Sequence, residues 1–394
     1  MIKKAIAIAA LATTLILSQA CKKEINFEVE ERICSQQGSI NLKHKEFQDL
    51  LDHYALSGIP GLSVVITQSG EEDWVGSAGF ASMEDNRKMT PCHLHHTASL
   101  AKSFIAVLTL QLIEEGSLSL ESKVSDFLSN EVKSYTPNID ELTIEHLLQQ
   151  TSGIPDVFGI DFLSELMNDP SVVYTREDLL SFNQGSKPLD QAGNQHFYSD
   201  HNFILLSLII DQIEGSHIDA LRKRIFEPLA LEDIHYHDDK YPFLQGLSAT
   251  YWDQYNDGKW ENISDLQNLL TSYIQGSDGI ISSPISMTKF YERLFDGELL
   301  NSSTLEMIQS KWVTETDENR MNTSYSHGFM VIEAEDGDWM GHAGLQIGAS
   351  SYVFHNLDSR LTIGVFTNAG TFTSQEKKAL IYGDLWTDLR ALFE

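Results

Sequence analysis

Hydrophobic positions along this chain fall into helical spacing, strand-like alternation and solid apolar runs, and the order of these patterns predicts the elements. Phe47, Leu50, Leu51 and Tyr54 recur three and four apart, an amphipathic helix ending at Gly58. The segment "GLSVVITQSGEEDWVGSAGFAS" then gives two β-rich runs about a turn at Gly70, the signature of a hairpin. From Phe104 to Ile113 nearly every position is apolar, and "EEGSLSL" supplies a stop at Gly116. The segment opening at Ser99 is therefore expected to be a helix buried on most of its faces. Roughly 118 to 275 reads as mainly helical, through "LTIEHLLQQTSGIP", "HNFILLSLIIDQIEG" and "HIDALRKRIFEPLA". Strand patterns return in "SHGFMVIEAEDGDWMGHAG" and "GASSYVFHNLDSRLTIGVFTNAG", and "EKKALIYGDLWTDLRALFE" closes the chain as an amphipathic helix. The simplest arrangement joins the early hairpin to the late strands in one antiparallel sheet flanked by helices, with the middle as a helical insertion, an α+β fold.

The N-terminus follows a different pattern. "MIKKAIAIAALATTLILSQAC" carries Lys3 and Lys4, an apolar run from Ala5 to Leu17, then small and polar residues before Cys21. Residues 1–20 thus read as an export signal. The apolar run is shorter than the roughly 20 residues of a membrane-spanning helix. "LSQAC" is similar to a bacterial lipoprotein cleavage box, which makes Cys21 a candidate lipidation site, with plain secretion as the alternative. Residues 21–42 lack either period and read as a polar tether. The catalytic domain is then expected over 43–394, its sheet part from about 43–117 and 276–394 and its helical part from about 118–275. Export to a cell envelope or periplasm is the expected location, with the membrane touched only through a lipidated N-terminus. An oxidising compartment permits a bridge between Cys34 and Cys92 without requiring one.

Composition narrows the partners. With 394 residues and 42% hydrophobic content the chain can bury a large core. Its 57 acidic against 27 basic residues, a balance of -30, make its surface repel phosphate backbones. Nucleic acid is excluded as an expected partner, and a monomer acting on a small molecule or peptidoglycan-derived fragment is expected instead.

Candidate chemistry begins at "TASLAKSF". A lysine at the mouth of a buried helix costs several kcal/mol unless it is paired. Ser99 lies three residues before Lys102, so on a helix their Cβ atoms stand roughly 5–6 Å apart on one face, within reach of proton transfer. The free N–H groups of a helix start also favour a developing oxyanion. Two further groups sit beside apolar elements: Tyr198 and Asp200 in "FYSDHNFILLSL", and His342, Gly344 and Leu345 in "MGHAGLQIG". A Ser-x-x-Lys, then Tyr-x-Asn or Asp, then Lys or His-x-Gly, is the three-motif order of penicillin-recognising serine enzymes.

The chain here resembles the class C β-lactamase and penicillin-binding-protein superfamily, with its D-alanyl-D-alanine carboxypeptidase and family VIII-type esterase branches. "IPGLSVVI", "TASLAKSFIAVLTLQLIEEGSLSLESKVSDFL", "LTIEHLLQQTSGIPD", "IFEPLALEDIHY" and "GSDGIISSPISMTKFYERLFDGELL" all look like that family's segments, over about residues 45 to 390. The resemblance implies a cleft between the sheet part and an all-helical insertion. It implies Ser99 as nucleophile, Lys102 and Tyr198 sharing the general base role, and the backbone N–H groups of Ser99 and Leu345 as the oxyanion hole. Gly344 would leave room for the approaching substrate. No cofactor or metal is implied. Asp200 stands where those β-lactamases usually have Asn, and His342 where many have Lys, so the cleft is less positive than theirs. The expected substrates are accordingly esters, amides or D-amino-acid peptides, neutral or amine-bearing, turned over through an acyl-enzyme. A true β-lactamase, a carboxypeptidase or a silent peptidoglycan-binding member are the alternatives.

"CHLHH" at Cys92 to His96 and "HYHDD" at His235 to Asp239 superficially suggest zinc, but neighbouring strand residues face opposite sides and no HExxH pair accompanies them. Core or surface histidines are expected. No GxSxG elbow surrounds any serine.

Overall fold

The computed structural model describes residues 43–169, 172–237, 244–314 and 323–393. The expected signal, the tether, Cys21 and Cys34 lie outside the described residues. Cys92 is disulfide-bonded.

A nine-stranded antiparallel sheet is the centre of the fold. The hairpin strands Gly61–Gln68 and Trp74–Ser82 join the C-terminal strands because Gly61–Gln68 pairs with Leu361–Thr367, from Leu62 opposite Thr367 to Gln68 opposite Leu361. Strand Ser350–Asn356 follows, then Trp339–Leu345, Phe329–Ile332 and Thr323–Ser326. Leu361–Thr367 and Ser350–Asn356 are buried at every position, as strands covered on both faces must be.

One face is covered by the helix His44–Leu56, which buries Phe47, Leu51 and Tyr54, and by the C-terminal helical run, whose Trp386 packs edge-on against Trp339 and Tyr352. The other face carries the helix Ala101–Glu114 together with Pro284–Phe295, where Phe104 stacks on Phe290. The predicted buried helix is therefore present. Every residue from Ala101 to Leu110 is buried, and Gly116, at φ 77°, follows its end.

Among the described residues the regular elements of 118–275 are helices apart from three short strands, joined by irregular connections. Of these, Ile234–Tyr236 joins His95–His96 and Ile280–Ser282 in a separate three-stranded sheet. Strands of two or three residues carry too few positions to display a period, so the sequence pattern had not revealed them. His95 and His96 belong to this small sheet. Burial pushes both imidazoles down to about 3, so they sit neutral in the core.

Candidate active site

Ser99 lies in a tight 3₁₀ turn, Ala98–Leu100, and the α-helix proper begins at Ala101, so Lys102 is its second residue. Ala98 holds φ at 50°, a left-handed conformation that a residue with a Cβ adopts only when its surroundings impose it. Those surroundings are visible at Thr97. Its N–H and hydroxyl both donate to the Ile280 carbonyl, at 3.2 and 2.8 Å, and its own carbonyl accepts from the Ser351 hydroxyl at 2.8 Å. The small sheet and the large one therefore grip the nucleophile turn from two sides.

The Lys102 ammonium is fully buried and has three acceptors. It donates to Ser99 Oγ at 2.9 Å and to the Ser277 carbonyl at 3.0 Å, and it forms an ion pair with Asp200 Oδ1 at 2.5 Å. An ammonium has three N–H donors, so each is used, and this answers the cost that a lysine in a buried helix raised. Nζ also stands 5.0 Å from the centroid of the Tyr198 ring.

Tyr198 and Asp200 are positioned by the loop after the helix Ile144–Leu148. Gln150, buried with φ 59°, accepts from Phe197 N–H through its carbonyl and from Ser199 N–H and the Asn202 amide through Oε1. The Ser199 hydroxyl donates to the Pro155 carbonyl at 3.1 Å. Asp156 Oδ1 accepts the Asp200 N–H at 3.1 Å, which caps the helix Asp200–Glu214.

On the opposite wall, the strand Trp339–Leu345 carries His342, Gly344 and Leu345. His342 is buried: Nδ1 lies 2.7 Å from the Ala343 carbonyl, so it carries the proton, and Nε2 faces the Tyr325 hydroxyl at 3.1 Å. Gly344 has a different reason from the one the resemblance implied. A Cβ there would lie 2.2 Å from the Thr97 carbonyl oxygen, so what requires glycine is the contact between strand and nucleophile turn, not the substrate. Gly344→Ala is expected to lower stability by about 1–3 kcal/mol, as overpacking does, and to slow turnover by displacing the Ser99 turn. Thermal melting beside kcat checks both.

Ser99, Tyr198, Asp200, His342 and Leu345 all line one cleft of about 530 Å³. The structure thus brings together residues from three distant parts of the sequence, with Lys102 beneath them and Gly344 behind. Cys21 is outside the described residues. Among the lining residues that escaped the sequence reading are two carboxylates, Asp156 and Asp278. Burial drives both carboxyls up to about 7, and the nearby Asp200 carboxylate adds to each rise. Both lie in segments quoted above, "TSGIPD" and "GSDGIISS". A lone carboxylate in an otherwise small and apolar run was the signal available.

A serine oxygen held by a buried ammonium, a tyrosine beside that ammonium and a strand end lining the same cleft form a site able to attack a carbonyl. The "Beta-lactamase" family profile matches residues 47–384. The chain belongs to the β-lactamase family, and it is a serine hydrolase of that family.

Among particular relatives, it is 25% identical over 362 residues to penicillin-binding protein 4* of Bacillus subtilis (strain 168), covering 85% of this chain and 73% of that protein. It is 26% identical over 204 residues to protein flp of Staphylococcus aureus (strain MW2), covering 51% of this chain and 40% of that one. D-amino acid amidase from Ochrobactrum anthropi SV3, solved with L-phenylalanine amide, superposes with a TM-score of 0.77 at 21% identity, over 89% of this chain and 99% of that one. The hydrolase EstCE1, described as having promiscuous acyltransferase activity, gives 0.70 at 17% identity, over 89% and 98%. These two share the fold, an antiparallel sheet flanked by helices.

Proposed function

We propose that this protein hydrolyses esters or amides that lack a carboxylate near the scissile bond, through an acyl-enzyme on Ser99. The observation that carries this reading is the charge of the cleft. Asp156, Asp200 and Asp278 stand against buried Lys102, whose donors are all engaged, and partly exposed Lys378. A substrate carboxylate, which β-lactams and peptidoglycan stems carry, meets repulsion here once Asp156 and Asp278 ionise, around pH 7 and above, and among the described residues no arginine lines the cleft to pair with it.

In this reading Tyr198 enters as a phenolate held beside the Lys102 ammonium, and Ser99 Oγ attacks the carbonyl carbon while its proton passes to the Tyr198 oxygen, leaving a phenol. Lys102 is already donating to Ser99, so it serves as the fixed cation beside the transferring proton rather than as its acceptor. The backbone N–H groups of Ser99 and Leu345 hold the oxyanion. As the ester or amide bond breaks, Tyr198 returns the proton to the leaving group. Water then repeats the sequence on the acyl-enzyme, releasing the acid and restoring the Ser99 hydroxyl.

Export and lipid attachment at Cys21 belong to the same proposal, supported by the N-terminal sequence pattern. The test is intact-mass analysis after mixing with short-chain esters, D-amino-acid amides and a cephalosporin. A transient adduct from the esters or amides, absent in Ser99→Ala, is expected. A higher specificity constant for the cephalosporin overturns the preference, and no adduct from any compound or from a fluorophosphonate probe points to a silent binder.

A further inference from the structure

Beside the nucleophile the cleft wall changes character. Ser277 offers its carbonyl to Lys102, which fixes the segment Ser277–Asp278 next to the reacting centre. Gln346 follows Leu345, the expected oxyanion donor, and its side-chain amide donates to the Asp278 carboxylate. Among the described residues the Asp278 carboxylate receives one other hydrogen bond, from Gly279 N–H at 2.6 Å. A carboxylate accepts about four, so acceptor capacity is left over. Two more polar atoms at this spot have no partner among the described residues: Ser277 Oγ, on a residue only 1% exposed, and Gln346 Oε1, turned away from Asp278 because its amide nitrogen faces the carboxylate. All three residues line the cleft.

Buried polar groups left unpaired in a native fold require a reason, and these are chiefly acceptors, one of them anionic. Lys102 does not fill the need, since Ser99, the Ser277 carbonyl and Asp200 take its three donors. A ligand suited to the place carries several N–H donors and a positive charge. It must also sit within a bond or two of the carbonyl that Ser99 attacks, because Gln346 is adjacent to Leu345.

We propose that Asp278, Ser277 and Gln346 form an ammonium-binding subsite, and that the acyl half of the substrate carries a free α-amino group. This rests on the acyl-enzyme reading above and narrows it to α-amino esters and amides. Leu270, Ile274 and Ile347 on the same lining supply apolar surface for the substrate's side chain. The upward push on the Asp278 carboxyl agrees with this, because burial of the carboxylate outweighs the relief from the nearby Lys102 charge, and an incoming ammonium lowers the remaining cost.

The experiment compares the methyl esters of D- and L-phenylalanine with methyl 3-phenylpropionate, which differs only in lacking the amine. The readouts are product formation and acyl-enzyme mass at pH 7. In the wild type, kcat/KM for at least one phenylalanine ester is expected to exceed that for the desamino ester about 10-fold or more. Asp278→Asn should lower that ratio roughly 10- to 100-fold, the scale of a hydrogen-bonded charge. Ser277→Ala, which removes a hydroxyl with no partner and so leaves folding intact, should lower it several-fold. A wild-type ratio of one or less, or a ratio unchanged in Asp278→Asn while esters are still turned over, overturns the subsite and leaves the hydrolase reading standing. Failure of all three esters to acylate Ser99 removes the hydrolase reading, and the subsite with it.

Discussion

In Lys102→Ala, folding stability at pH 8 is expected to fall by about 3–5 kcal/mol, the usual cost of deleting one partner of a buried ion pair. Asp200, only 14% exposed, would lose the ammonium it pairs with. The loss should shrink at low pH, and the sign follows from the neighbours. In the fold Asp156 and Asp278 are pushed up to about 7 from the ordinary carboxylate range. A carboxyl raised in the fold binds its proton more tightly there than in the unfolded chain. Its contribution is thus fully present below about pH 4 and is lost as pH rises toward 7. The Lys102 charge restrains both rises, so its removal pushes both carboxyls further up and steepens the decline. Urea melts at pH 5 and pH 8 decide this. A deficit that is the same at both values would mean that the lysine acts through packing alone. The companion variant Asp156→Asn keeps an oxygen to accept the Asp200 and Phe158 N–H groups while removing the buried charge. It should melt above wild type at pH 8 and converge with it at pH 5.

Tyr198→Phe is expected to lower kcat by a factor of about 100 to 10,000, the range for a positioned proton acceptor, with KM for neutral esters changed little. The phenol is the reacting group, whereas the ring supplies the packing: it stands edge-on to Tyr325 at 6.2 Å and beside Lys102. Phenylalanine keeps that ring, so the melting temperature should hold within a few degrees. Acylation itself should be slowed, seen as a delayed mass adduct under single-turnover conditions. If the adduct formed at the wild-type rate but persisted, Tyr198 would belong to deacylation only, and another group would activate Ser99.

Much of this site was legible along the chain because its main members lie in local patterns. Ser99 and Lys102 are one helical step apart at the mouth of an apolar helix, Tyr198 and Asp200 open another, and Gly344 and Leu345 mark a strand edge. The nine-strand sheet was half visible for the same reason: alternation and turns announce hairpins, whereas the pairing of Gly61–Gln68 with Leu361–Thr367 joins segments about three hundred residues apart. The strands Ile234–Tyr236 and His95–His96 were not legible, being too short to express a period. The supports of the site were hidden too. Nothing in the sequence around Gln150 says that its amide organises the turn carrying Tyr198, and nothing around Thr97 says that Ile280 and Ser351 will hold it.

Local order in the sequence determined which groups could do chemistry and on what kind of element each would ride, because helix and strand periods and their punctuation act over a few residues. Tertiary structure alone decided how those groups are charged and what they face. It buried Asp156 and Asp278 beside Asp200, spent all three Lys102 donors, and made Gly344 necessary through the Thr97 carbonyl. Desolvation and close approach depend on atoms contributed from elsewhere in the chain, so no reading of neighbours along the sequence contains them.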